Sequence, residues 1–119
     1  MKRDMDLSRK ILLSMESDDN AFGSGNISIP KFDNEVVSYH IKLLRDAGLI
    51  EAIDASSSSG FNWIPTSLTW EGHEFIDTAR NEGIWNKAKN LMLKETGGMS
   101  ISILKSLLTQ LATKAVLGE

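Results

Sequence analysis

His40 and His73 are the only imidazoles in the sequence, and the chain has no cysteine. A transition-metal site would therefore need several carboxylates at a spacing this chain does not offer, so no metal is expected. His40 falls inside the apolar arc of a helical pattern, which predicts a packed, hydrogen-bonded ring. His73 stands beside Glu74 in the first turns of a later helix. There is no Gly-x-Ser-x-Gly elbow, His-Glu-x-x-His pair or glycine-rich nucleotide loop. Gly23-Ser24-Gly25 lacks the lysine of a phosphate loop and reads as a plain turn, and Asp18 with Asp19 reads as loop solvation. The expectation is a noncatalytic protein without a cofactor.

The residues that could meet a ligand are Asn34, Ser38, Tyr39, Lys42 and Arg45, which fall on one side of a single helical segment. Amides, hydroxyls and cations in this arrangement can reach base edges and phosphates of double-stranded DNA. The same residue types also form ordinary solvated helix faces.

The elements that must hold them follow from caps and periodicity. Asp4 or Asp6 starts a helix over 4–17, with Leu7, Ile11, Leu12 and Met15 on one side. Residues 18–26 are turn formers, and Asn26-Ile27-Ser28-Ile29-Pro30 alternates as a short strand. Asp33 or Asn34 caps a helix over 34–47 that buries Val36, Val37, Ile41, Leu43, Leu44 and Ala47 and ends at Gly48. Residues 49–65 read as a hairpin with a mobile serine-rich tip. Thr69 caps a helix over 69–82, Gly83 breaks it, and a further helix covers 84–94. Trp63, Trp70 and Trp85 are expected first of all as core material.

These pieces predict an α+β, mostly helical chain: a winged helix-turn-helix with a short three-stranded sheet and additional C-terminal helices. Residues 1–94 would form the winged-helix domain. The interval between Ile27 and Asn34 leaves room for only a truncated or one-turn second helix, which departs from the usual docking geometry. The segment Val37-Ser38-Tyr39-His40-Ile41-Lys42-Leu43-Leu44-Arg45-Asp46-Ala47-Gly48-Leu49-Ile50 resembles the recognition helix of arsenic-repressor-type winged-helix regulators. Leu68-Thr69-Trp70-Glu71-Gly72-His73-Glu74-Phe75 is similar to the segment that follows the wing in such proteins. Together with Met1 to Leu7 and Ile84-Trp85-Asn86-Lys87, these stretches resemble the "domain of unknown function 2513" family of bacterial and prophage proteins. The resemblance implies a DNA-binding, regulatory role.

Residues 95–119 contain a last helix capped by Ser100, for packing or dimerisation. Ile101, Leu104, Leu108, Leu111 and Ala115 are spaced 3, 4, 3, 4, a two-heptad seam that suggests a homodimer. The net charge of −3 and a pI near 5.4 weigh against strong nonspecific binding to nucleic acid. The hairpin tip 54–61 carries no lysine or arginine to reach a groove. An alternative expectation is therefore a noncatalytic interaction module that binds a host or phage protein. The charged N-terminus and the absence of a long apolar run predict a cytoplasmic protein with no membrane partner.

Overall fold

A computed structural model describes residues 1–118. The elements are α1 (Met5–Glu16), α2 (Asn34–Asp46), β1 (Ile50–Asp54), β2 (Trp63–Leu68), α3 (Trp70–Ala79), α4 (Glu82–Thr96) and α5 (Ile101–Leu117), an α+β chain that is mostly helical. They fall into two compact units, Met1–Glu74 and Phe75–Glu119, with α3 beginning in the first and ending in the second. No helix among the described residues is long and apolar enough to cross a membrane.

In the first unit, the Asp4 carboxylate accepts the Leu7 N–H at 3.1 Å and so caps α1. Leu7, Ile11 and Leu12 of α1 are buried, as are Val37, Ile41 and Leu44 of α2. His40 joins the two helices. Its Nε2 accepts the Asp4 backbone N–H at 2.8 Å, so the ring proton belongs on Nδ1, which donates to the Val36 carbonyl at 2.8 Å. The expected packed imidazole is thus also the tie between the start of α1 and the middle of α2.

Helix α2 ends as its glycine predicts. Gly48 has φ 78°, its N–H reaches the Arg45 carbonyl, and the Leu49 N–H reaches the Leu44 carbonyl, which is a Schellman closure. The chain leaves directly into β1, which pairs antiparallel with β2 in the register Ile50 to Leu68, Glu51 to Ser67, Ala52 to Pro65, Ile53 to Ile64 and Asp54 to Trp63. A bulge lies between Glu51 and Ala52. The serine-rich tip is a closed turn: Ser57 and Gly60 exchange both backbone hydrogen bonds, each at 3.0 Å.

Two expectations fail here. The sheet has two strands, and residues 26–29 run as irregular chain. A Cβ placed on Gly23 would stand 2.8 Å from the Pro65 carbonyl oxygen, so that carbonyl faces the loop, and Pro65 has no N–H to offer along the same edge. Pro30 ends the segment and Lys31 follows at φ 74°, which further breaks any ladder. The short second helix is also missing: residues 17–33 hold turns and bends but no helix.

In the second unit, the helix break falls at Arg80-Asn81 and not at Gly83. Asn81 Oδ1 accepts the Ile84 N–H at 2.9 Å and caps α4, which places Gly83 inside its first turn. A side-chain cap satisfies an end donor that glycine cannot, so the asparagine sets the boundary. Trp85, Ala88 and Met92 of α4 and Leu104 and Leu108 of α5 are buried as the two helices pack together, and Phe75 meets Trp85 edge to face at 6.3 Å.

Candidate nucleic-acid interface

The polar side of α2 carries the five candidate contacts, and the fold divides them. Asn34, Lys42 and Arg45 are exposed or half-exposed, and Tyr39 is half-buried with its ring edge-on to His40 at 5.9 Å. Ser38 is buried. Its Oγ accepts the Trp63 backbone N–H at 3.2 Å and faces Asn62 Oδ1 at 3.5 Å. This hydroxyl fastens the returning strand to the helix, and the residue keeps 5% of its surface exposed. An acceptor for a buried strand N–H is an obligation of the fold.

The two cations do not stand alone. Lys42 Nζ lies 2.8 Å from Asp46 Oδ2, one helical turn on, and Arg45 NH1 lies 3.6 Å from Asp46 Oδ1. The hydrogen bond from Lys42, joined by the charges of Lys42 and Arg45, holds the Asp46 carboxyl below the usual aspartate range. The Arg45 guanidinium also sits 5.8 Å over the Trp63 ring, a cation–π contact between the helix and the hairpin. One carboxylate therefore offsets much of the positive field of this face. Its i, i+4 spacing from Lys42 is a signal already present in the sequence.

Charge over the whole first unit runs the same way. Residues 1–74 carry seven lysines and arginines against twelve aspartates and glutamates, a net −5, while the remaining 45 residues carry six against four. Asp54 at the hairpin adds an anion whose carboxyl is held low by the Ser56 backbone N–H and hydroxyl.

The tryptophans separate by role. Trp85 is fully buried and Trp63 is 9% exposed, as core material should be, whereas Trp70 is 77% exposed at the start of α3. Trp70 is exposed because the residues around it serve a different contact. Thr69 N–H donates to the Leu49 carbonyl at 3.0 Å, Thr69 Oγ1 donates to the Gly48 carbonyl at 2.7 Å, and the Gly72 N–H returns to Thr69 Oγ1 at 3.1 Å. The Leu68-Thr69-x-x-Gly72 motif is thus a clamp that seats α3 on the turn between α2 and β1.

The C-terminal seam divides as well. Leu104 and Leu108 are fully buried in the packing of their own unit, Ile101 and Leu111 are half-buried, and Ala115 is exposed. The larger apolar side chains that α5 leaves in solvent are Ile103, Val116 and Leu117.

Fold and site together define a small α+β protein with a polar helix face tied to a β-hairpin. The chain belongs to the family described as "Hypothetical protein (DUF2513)", whose model matches residues 2–99. It is 46% identical over 109 residues to a protein of Haemophilus influenzae described as "Uncharacterized protein", covering 88% of this chain and 90% of that one. No solved structure matches the chain significantly.

Proposed function

We propose that residues 1–74 form a winged-helix binding module of a noncatalytic regulatory protein, with α2 as the contact helix and β1–β2 as the wing. Duplex DNA is the ligand, met by Asn34, Tyr39, Lys42 and Arg45. The observation that carries this reading is the coupling of helix to hairpin: Ser38 holds the Trp63 N–H, and Arg45 lies over the Trp63 ring, so the polar face of α2 and the hairpin base form one preorganised surface. Only two cations serve that surface, so about two phosphates are neutralised and the salt slope of binding is about −1.8.

A second reading is favoured by one specific observation, the net −5 of the same unit. On that reading the face binds a basic protein and Asp46 is part of the attraction.

Asp46→Asn separates the two. If DNA is the ligand, removing the carboxylate frees Lys42 and Arg45, and affinity measured by fluorescence anisotropy at low salt rises severalfold. Lys42→Ala with Arg45→Ala abolishes binding and its salt slope. If the wild-type protein shows no salt-dependent DNA binding, or Asp46→Asn leaves it unchanged or weaker, the DNA reading fails.

A further inference from the structure

A cleft of about 430 Å³ opens between the 26–28 loop, the start of α2 and the hairpin loop. Its lining is unusual for a chain in which 24% of residues are charged: none of the lining residues carries an ionisable side chain. Asn26, Asn34 and Asn62 bring three amides to it, and Ser57 and Ser59 bring hydroxyls. The Asn26 and Asn34 side chains are exposed and make no hydrogen bond among the described residues, so their donors and acceptors are available. Phe61 lines the cleft at 38% exposure. Trp63 lines it too, and its buried indole N–H has no acceptor among the described residues. A buried donor left unmatched is costly, and each such group in a native fold calls for a partner.

These features select a ligand class by elimination and then by fit. A phosphate or carboxylate would find no cation in the lining, the Arg45 guanidinium at the Trp63 ring being shared with Asp46, and Asp33 and Glu35 flank Asn34 at the start of α2 and repel it. An ammonium would find no carboxylate in the lining. An apolar ligand would strip water from five amides and hydroxyls and give nothing back. What remains is an uncharged planar molecule with donors and acceptors on its edge and a face that stacks. An asparagine amide presents one donor beside one acceptor, the pairing that matches a nucleobase edge, and aromatic side chains stack on bases of any sequence.

We infer that this cleft binds a free nucleobase or nucleoside, through the Asn26 and Asn34 amides and the Phe61 ring, beside the unmatched Trp63 indole N–H. The site shares Asn34 with the DNA reading of α2 but needs neither Lys42 nor Arg45.

The test is a ¹H–¹⁵N NMR titration of the full chain with adenosine, guanosine, cytidine and thymidine in turn, with the Trp63 indole resonance assigned through Trp63→Phe. At least one nucleoside should shift that resonance and the amides of residues 26, 34 and 62 saturably. Asn26→Ala with Asn34→Ala, which removes no internal hydrogen bond, should weaken that binding at least about tenfold with the rest of the spectrum intact. The inference is overturned if no nucleoside gives saturable shifts at millimolar concentration, or if the double variant binds as the wild type does. Equal shifts from methyl glucoside, shifts from a single-stranded oligonucleotide alone, or tenfold tighter binding of the 5′-monophosphate also overturn it. Weakened DNA binding in Lys42→Ala, which leaves Arg45 over the Trp63 ring, with nucleoside shifts retained, separates failure of one reading from failure of the other.

Discussion

Replacing Gly72 by alanine sets two principles against each other with opposite signs. Gly72 lies in the first turn of α3, where alanine in place of glycine gains about 1 kcal/mol of helix propensity. The structure opposes this: a Cβ on Gly72 would stand 2.0 Å from the Leu49 carbonyl oxygen and 3.1 Å from the carbon behind it. Both atoms are backbone, so no side-chain rotation relieves the clash. The start of α3 must retreat by about an ångström or more, and overpacking of this kind costs about 1–3 kcal/mol. The same retreat pulls Thr69 N–H from the Leu49 carbonyl and Thr69 Oγ1 from the Gly48 carbonyl, two hydrogen bonds worth about 1 kcal/mol each. Set against the propensity gain, the net loss is about 2–4 kcal/mol. In a domain of this size that lowers Tm by roughly 8 °C or more. Urea unfolding followed by far-UV circular dichroism measures it, with Trp70→Ala as a control: Trp70 is two residues away and exposed, so its removal should stay within about 0.5 kcal/mol. If Gly72→Ala is as stable as the wild type or more so, the Thr69 clamp is not what seats α3, and propensity alone governs the site.

Ser38→Ala should cost about 1–3 kcal/mol in the same assay, because the buried Trp63 N–H loses its acceptor; a change under about 0.5 kcal/mol would show the hydroxyl to be incidental. The carboxyls of Asp18, Asp46 and Asp54 are all held below 3.8, chiefly by the Asn20 backbone N–H, the Lys42 side chain and the Ser56 backbone N–H respectively. A folded-state value below the unfolded one means that the stability they add is full above pH 3.8 and is lost as pH falls through the lowered values. The triple variant with asparagine at all three positions should therefore be less stable than the wild type near neutral pH, and the two unfolding midpoints should converge in acid. Parallel midpoints from pH 7 down to pH 2 would contradict the assignment.

Local chemistry explains which parts of this fold can be read from the chain. Helix α2 is visible because every cue for it lies within one window: an Asp33-Asn34 start, apolar positions one turn apart and Gly48 at the end. The break before α4 falls two residues ahead of the glycine that suggests it, because the Asn81 side chain caps the helix and Gly83 does not. The missing third strand is a different failure. Asn26 to Ile29 alternates well enough to pair, but pairing depends on the edge that β2 presents, and Pro65, more than 30 residues away, removes the donor from it. Ser38 failed in the same way. A serine at the border of a helix face looks like surface until a strand 25 residues further on brings an N–H to it.

The α5 seam shows why periodicity alone could not choose a partner. A 3, 4 repeat of leucines states that a helix has an apolar stripe, and it reads identically whether the stripe meets a helix of the same chain or a second copy. Leu104 and Leu108 are buried where α5 packs on α4, so that part of the heptad pattern is accounted for inside the unit, while Ile101, Leu111 and Ala115 of the same seam keep exposed surface. Gly72 is the converse case. A glycine inside a helical pattern carries a cost that has to be offset, and at Gly72 the offset is the close approach of the Leu49 carbonyl, which no local pattern names. A residue that breaks a local preference therefore marks a tertiary contact at Gly72, and the cleft at Asn34 breaks the pattern in the same sense, since a charged chain places only neutral side chains there.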